Sequence, residues 1–180
     1  KGLHDHIDKE GSKVASISGM INHLADYPED CTGKKVAVIG GGAVGLDVVE
    51  YFAPKGAEVS IVEMMPAIGK DLDPVSKSGV NALMKKYEVN QMPNTALCEV
   101  KADSFLVKAD GEEKDLPFDY GFVCLGMRAN APVLEEIREA YADTNVEIIN
   151  IGDSVRARRI IDGVQEGHNI LRVLSDMEYL

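Results

Sequence analysis

The 180-residue chain is short of positive charge, of cysteine and of long apolar runs, and each shortage removes a class of function. Nineteen Lys and Arg stand against thirty Asp and Glu, giving a formal net charge of −11 and a pI near 4.8. That balance argues against nucleic acid or an anionic membrane surface as a partner. It also sets the long-range field against anionic cofactors, so any bound phosphate has to be held by local dipoles and backbone N–H groups. The three cysteines, Cys31, Cys98 and Cys124, lie far apart and form no C-x-x-C pair. Zinc knuckles, iron–sulfur clusters and dithiol redox motifs are therefore unsupported, and all three read as buried, inert thiols in a reducing, cytoplasmic setting. No apolar run approaches the roughly 20 residues that cross a bilayer. The first residues, KGLHDHIDKEGSK, have no apolar h-region of a secretory signal and no initiator Met, as expected of an excised fragment.

What is present is an alternation of strand-like and helix-like segments. Residues 1–33 are polar and irregular except for VASISGMINHL, where Ile17, Ile21 and Leu24 recur at helical spacing. His4, Asp5, His6 and Asp8 could suggest a metal site, but at a polar terminus they read as a disordered segment. Val36–Ile39 is a short apolar run of buried-strand type. AVGLDVVEYFA follows with helical periodicity until Pro54 and Gly56, and AEVSIVE, Ala57–Glu63, alternates like a second strand. Together they form a βαβ unit. Asp73 and Pro74 then offer an N-cap and a first helical residue. ALCEVKAD, SFLVKAD and EEKDLPFD read as a β-meander. Tyr120–Gly126 returns to a buried strand, APVLEEIREAY to a helix, Val146–Asp153 to a strand and IIDGVQEGHNILRVL to a last helix. The fold class is α/β, Rossmann-like, with a parallel sheet and an inserted antiparallel meander.

Between the first strand and its helix lies Gly40-Gly41-Gly42-Ala43-Val44-Gly45, a G-x-G-x-x-G loop. The spacing alone is weak evidence, but the strand ends directly before it and the helix opens within it, as a dinucleotide fingerprint requires. Gly40 would allow the sharp turn, Gly42 would let a pyrophosphate approach the backbone, and Gly45 would let the helix pack close to the sheet. The helix N-terminus supplies free N–H groups and a positive dipole end. Glu63 closes the next strand about 20 residues on, where a carboxylate would accept bonds from adenosine ribose hydroxyls. MetMetProAla after it holds no Arg or Lys for a 2′-phosphate, which favours NAD(H) over NADP(H).

GKKVAVIGGGAVGLDVVEYFAPKGAEVSIVEMMPAIG, Gly33–Gly69, resembles the NAD-binding domain of two-dinucleotide-domain FAD-dependent oxidoreductases. It is similar in particular to the C-terminal region of the 2-enoate reductase and 2,4-dienoyl-CoA reductase family. Phe122–Asn130 resembles that family's closing strand followed by Gly-x-Arg-Pro-Asn, with Ala129 in place of the usual Pro. Ile151–His168 resembles its second flavin motif. The resemblance implies an NAD-binding domain over residues 32–145 inserted into an FAD domain. Residues 1–31 and 146–180 would be parts of that FAD domain, and the first FAD glycine loop would lie elsewhere in a larger enzyme. It implies that NADH reduces FAD there and that electrons pass on to an enoate or enoyl-type substrate, with NADH and FAD as partners. By position, the resemblance assigns Gly40, Gly42 and Gly45 to the NAD loop, Glu63 to the ribose, Gly126 to the nicotinamide side and Asp153 to FAD. Asp47 stands where the family often has a nicotinamide-facing Glu, and its shorter side chain puts that contact in doubt.

Other readings stay open at this level. The loop could serve a non-enzymatic NAD-sensing module, although such a module would not need the Gly-Asp segment at 151–168. It could instead grip the adenine half of FAD. Arg156, Arg158 and Arg159 could meet a flavin phosphate or pair with Asp153, Asp162 or Glu166. Met64 and Met65 could wall an adenine site or simply pack or face water. A catalytic acid–base pair is not expected, because in such flavoproteins the cofactors carry the chemistry.

Overall fold

The structure, a computed structural model, describes residues 1–70, 72–129 and 131–177. Asn130, the last residue of the closing-strand stretch, lies outside them. The chain forms two compact units, Lys1–Gly126 and Met127–Leu180.

In chain order the first unit contains α1 (Leu3–His6), β1 (Val14–Ser16), α2 (Ile17–Asn22), β2 (Lys35–Ile39), α3 (Ala43–Phe52), β3 (Glu58–Val62) and α4 (Pro74–Lys86). It continues with β4 (Asn90–Met92), β5 (Thr95–Val100), β6 (Ser104–Ala109), β7 (Glu112–Pro117) and β8 (Tyr120–Val123). Five strands make a parallel sheet in the order β1-β8-β2-β3-β4, and β5-β6-β7 make a separate antiparallel sheet. The period-2 alternation of β2 explains the three layers. Val36 and Val38 face a core shared with Leu46, Val49 and Phe52 of α3 and Val80 and Met84 of α4. Ala37 and Ile39 face the opposite core, with Phe105, Val107, Leu116 and Phe118 of the meander side. Both faces of β2 are thus covered, which is why the strand reads as a continuous apolar run.

Helix α3 buries Leu46, Val48, Val49 and Phe52 and ends at Phe52, passing into a 3-10 turn, Ala53–Lys55, that Gly56 closes. Asp73 caps α4 as expected, its Oδ1 accepting the Val75 and Ser76 N–H groups at 3.0 and 3.1 Å. The meander returns the chain to β8 on the far side of β2 from β3. Connections leave β2 in both directions, so a crevice opens at the carboxyl ends of β2, β3 and β8, the usual ligand position in open α/β sheets.

The structure corrects several expectations. Val14–Ser16 is a strand at the sheet edge, paired with β8, and Ser16 then caps α2 by accepting the Gly19 N–H at 3.1 Å. Helical spacing therefore begins only at Ile17. A three-residue strand carries too little periodicity to register, and neither that edge nor β4 was foreseen. The polar terminus is not irregular throughout: Leu3–His6 forms a helical turn, and Asp8 Oδ1 accepts the Ser16 N–H at 2.8 Å. Residues 1–31 thus contribute an element to the parallel sheet.

The second unit contains α5 (Ala131–Ala140), a 3-10 turn (Gly152–Ser154) and α6 (Ile160–Met177). Val146–Asp153 is not a strand: an isolated extended segment has no ladder to join among the described residues of this unit. No helix among the described residues is long and apolar enough to cross a membrane.

Candidate functional site

The glycine loop owes its shape to close contacts that a side chain would break. Gly40 leaves β2 with φ of 108° and donates its N–H to Val62 O at 2.8 Å. A Cβ there would lie 2.2 Å from the carbonyl oxygen of Cys124. Gly45, in the first turn of α3, is packed so tightly that a Cβ would lie 1.8 Å from Gly40 O and 3.3 Å from Val38 Cγ1. Gly41 sits against Glu63, to whose Oε2 it donates its N–H at 2.7 Å. Its own carbonyl accepts the Gly69 N–H at 2.7 Å.

Gly42 differs from these three. Its backbone is extended, with φ of −80° and ψ of −177°, and a Cβ would meet nothing within 4 Å. It is the N-cap of α3 with no side-chain cap, and no acidic residue follows in the first turn. Ala43 and Val44 therefore present bare backbone at a positive helix end. The space beside the Gly42 Cα is open out to 4 Å from where a Cβ would stand.

The loop forms one wall of a cavity of about 620 Å³. Ile39, Gly40, Gly41 and Gly42 line it from β2, and Val62, Glu63, Met64 and Met65 from β3 and the turn after it. Thr95–Cys98 line it from the start of the meander, and Cys124, Leu125 and Gly126 from the end of β8. Glu63 is the one carboxylate among these lining residues, and its Oε1 also accepts the Met65 N–H at 2.7 Å. Met64 is 70% exposed and Met65 39%, and both border the cavity.

Lys70 also lines the cavity. It follows Gly69, whose N–H bond to Gly41 O brings the 66–70 segment back to the loop. The sequence count of cations stopped four residues after Glu63 and missed it, because only the turn geometry returns it to the cleft. Thr95–Cys98 were missed for a related reason, since nothing in a meander strand announces that it borders the glycine loop.

The three cysteines proved less uniform than expected. Cys98 is half-buried and lines the cavity, in the bulge that interrupts pairing between β5 and β6. Cys31 and Cys124 are buried. Burial pushes the Cys124 thiol up to about 12, with the nearby Asp47 carboxylate adding to the effect, so the thiol stays protonated. Partial desolvation likewise raises the Asp47 carboxyl above its usual range. Asp47 lies on the solvent side of α3, and it is not among the residues lining the cavity.

Asp153 belongs to the second unit, in the 3-10 turn, where its Oδ1 accepts the Arg158 N–H at 3.2 Å. Arg158 is ion-paired with Glu166, whose Oε2 accepts the Gly152 N–H at 2.6 Å. These bonds, that from Gly152 first, hold the Glu166 carboxyl below its usual range. Arg159 pairs with Asp162 at 3.6 Å. Two of the three arginines thus have partners within the unit. Around His4 and His6 the described residues hold no group of three metal-ligating side chains.

A family profile described as pyridine nucleotide-disulphide oxidoreductase matches residues 2–155. The chain is 32% identical over 178 residues to a bilirubin reductase of Mediterraneibacter gnavus, covering 96% of this chain and 26% of that protein. It is 30% identical over 163 residues to an NADH oxidase of Thermoanaerobacter brockii, covering 91% and 24%. Among solved structures, a 2-naphthoyl-CoA reductase complex superposes with a TM-score of 0.71 at 22% identity, covering 94% of this chain and 24% of that one. The chain therefore spans about a quarter of the length of these relatives.

Proposed function

The chain belongs to the pyridine nucleotide-disulphide oxidoreductase family, which uses FAD and NAD(P), and from that premise we propose that its first unit binds NADH. The observation that carries this reading is the cradle at Gly42. Its Cα faces open space at an uncapped helix N-terminus, while its neighbours Gly40 and Gly45 are wedged against backbone. When bound, NADH supplies a hydride. The residues of this chain hold and orient it: the 40–45 backbone takes the diphosphate, and Glu63 takes the adenosine ribose hydroxyls. Gly126 borders the nicotinamide side. Asp47 is a weaker candidate there, because its carboxylate lies outside the cavity lining.

The carboxylate of Glu63 supports NADH over NADPH, since a 2′-phosphate beside it would meet like charge. Lys70 on the same cavity moderates that preference. In the whole protein the hydride passes to FAD, held in part by Asp153, and then to an enoate or enoyl-type substrate. The bilirubin reductase and 2-naphthoyl-CoA reductase likenesses support a reductase. On this reading residues 146–180 belong to the FAD domain. The exposure of Ile160 and Val164, at 88% and 59%, fits a unit that completes its core with further chain.

Titration of the purified chain with NADH, NADPH and FAD tests the assignment. Saturable NADH binding, displaced by ADP-ribose, is expected. FAD binding with no NADH signal would sink the proposal, and tight NADPH binding with weak NADH would overturn the role given to Glu63 in selectivity.

A further inference from the structure

Glu63 does more than stand at a strand end. Its backbone is held on both sides, its N–H donating to Met92 O and its carbonyl accepting from Thr95 N, each at 2.9 Å. From this fixed base the two carboxylate oxygens reach different amides, Gly41 N–H and Met65 N–H, each at 2.7 Å. These are short bonds to an ionised acceptor, the strong kind. The loop is shaped to receive them. A Cβ at Gly41 would lie 2.9 Å from Glu63 Cβ and 3.1 Å from Oε2, so glycine at 41 and glutamate at 63 fit each other. The far side of the same peptide is tied by Gly69 N–H to Gly41 O.

We infer that Glu63 is a positioning residue that latches the glycine loop and the turn at Met65 in place before any nucleotide arrives. The inference deepens the dinucleotide reading and depends on it only for the identity of the ligand. Each carboxylate oxygen accepts one amide here and keeps a second lone pair for a ribose hydroxyl. Loop order and ribose recognition therefore run through one side chain. Replacing the acid to admit a 2′-phosphate would release two loop amides at the same time.

Residue-resolved hydrogen exchange on the nucleotide-free chain reads the latch directly. In Glu63→Ala the Gly41 and Met65 amides should exchange about tenfold faster or more, while Val38 and Ile61 in the central strands keep their protection. Should that variant lose the fold, Glu63→Gln decides. It keeps the shape but offers only one acceptor oxygen, so at least one of the two amides should be exposed with the strands unchanged. Wild-type exchange at both amides in the Gln variant would overturn the latch.

A second arm separates positioning from ribose contact. Glu63→Asp keeps the charge but withdraws the carboxylate by one methylene. It should weaken binding of 2′,3′-dideoxy-ADP, which has no ribose hydroxyls, by about threefold or more. Unchanged affinity there would assign Glu63 to the ribose alone and overturn the inference. A wild-type chain with both amides protected that binds neither NADH nor ADP would refute the dinucleotide reading while supporting the latch.

Discussion

Adding one methyl group at Gly42 and, separately, at Gly45 should produce opposite phenotypes, although the two positions are three residues apart in one loop. At Gly45 the new Cβ would stand 1.8 Å from Gly40 O, so the start of α3 has to retreat by roughly 1.5 Å to restore an ordinary contact. Overpacking of this kind costs about 1–3 kcal/mol. A backbone oxygen cannot rotate away, which places the cost at the upper end, and the helix preference of Ala over Gly returns about 1 kcal/mol. The net loss is about 2 kcal/mol, or roughly 4–8 °C in Tm for a chain of this size. At Gly42 the extended backbone suits any residue and the Cβ touches nothing. Exchanging Gly for Ala at an N-cap costs less than about 1 kcal/mol, so Tm should stay within about 3 °C.

The methyl at Gly42 nevertheless stands where a diphosphate would approach the backbone, and the NADH dissociation constant should rise tenfold or more, about 1.4 kcal/mol. Thermal unfolding by circular dichroism and NADH titration by fluorescence measure the two quantities on the same samples. Wild-type NADH affinity in a folded Gly42→Ala variant would refute the cradle. Unchanged stability in Gly45→Ala would refute the packing argument.

Two further outcomes follow from the same contacts. Alkylation of the native chain with iodoacetamide should label Cys98 first. Cys31 and Cys124 should react only after unfolding, because both are buried and Cys124 is pushed up to about 12. Peptide mass spectrometry should show no rise in Cys124 labelling between pH 7 and 9, and NADH should protect Cys98. Asp73 gives a pH dependence. Its bonds, from the Ser76 hydroxyl first, hold its carboxyl below the usual range. A depressed folded value stabilises above the ordinary Asp pKa near 3.9 and is lost as pH falls through the folded value. The urea midpoint of Asp73→Ala should lie below wild type at pH 7, and the gap should narrow as pH falls below the ordinary Asp pKa of about 3.9.

The βαβ unit, the glycine loop, the capped helix and the meander were legible from sequence because each is specified by neighbours within a few residues. Val36–Ile39, Gly40–Gly45, Asp73-Pro74 and the alternating runs from Ala96 carry their own periodicity and turn chemistry. The net charge of −11 also set, from sequence alone, the expectation that any bound phosphate would be held by backbone N–H groups. Tertiary structure decided what depends on partners distant along the chain. The three-residue strand at Val14 exists because β8 lies beside it, and Val146–Asp153 is no strand because no ladder adjoins it among the described residues of its unit. Lys70 and Cys98 reach the cavity through a turn and a bulge. Only packing distances separate the glycines of the loop: Gly40 and Gly45 are pressed against backbone, Gly41 against Glu63, and Gly42 faces open space. The spacing G-x-G-x-x-G names the positions, but the approach of β8, β3 and α3 to the loop decides what each one does.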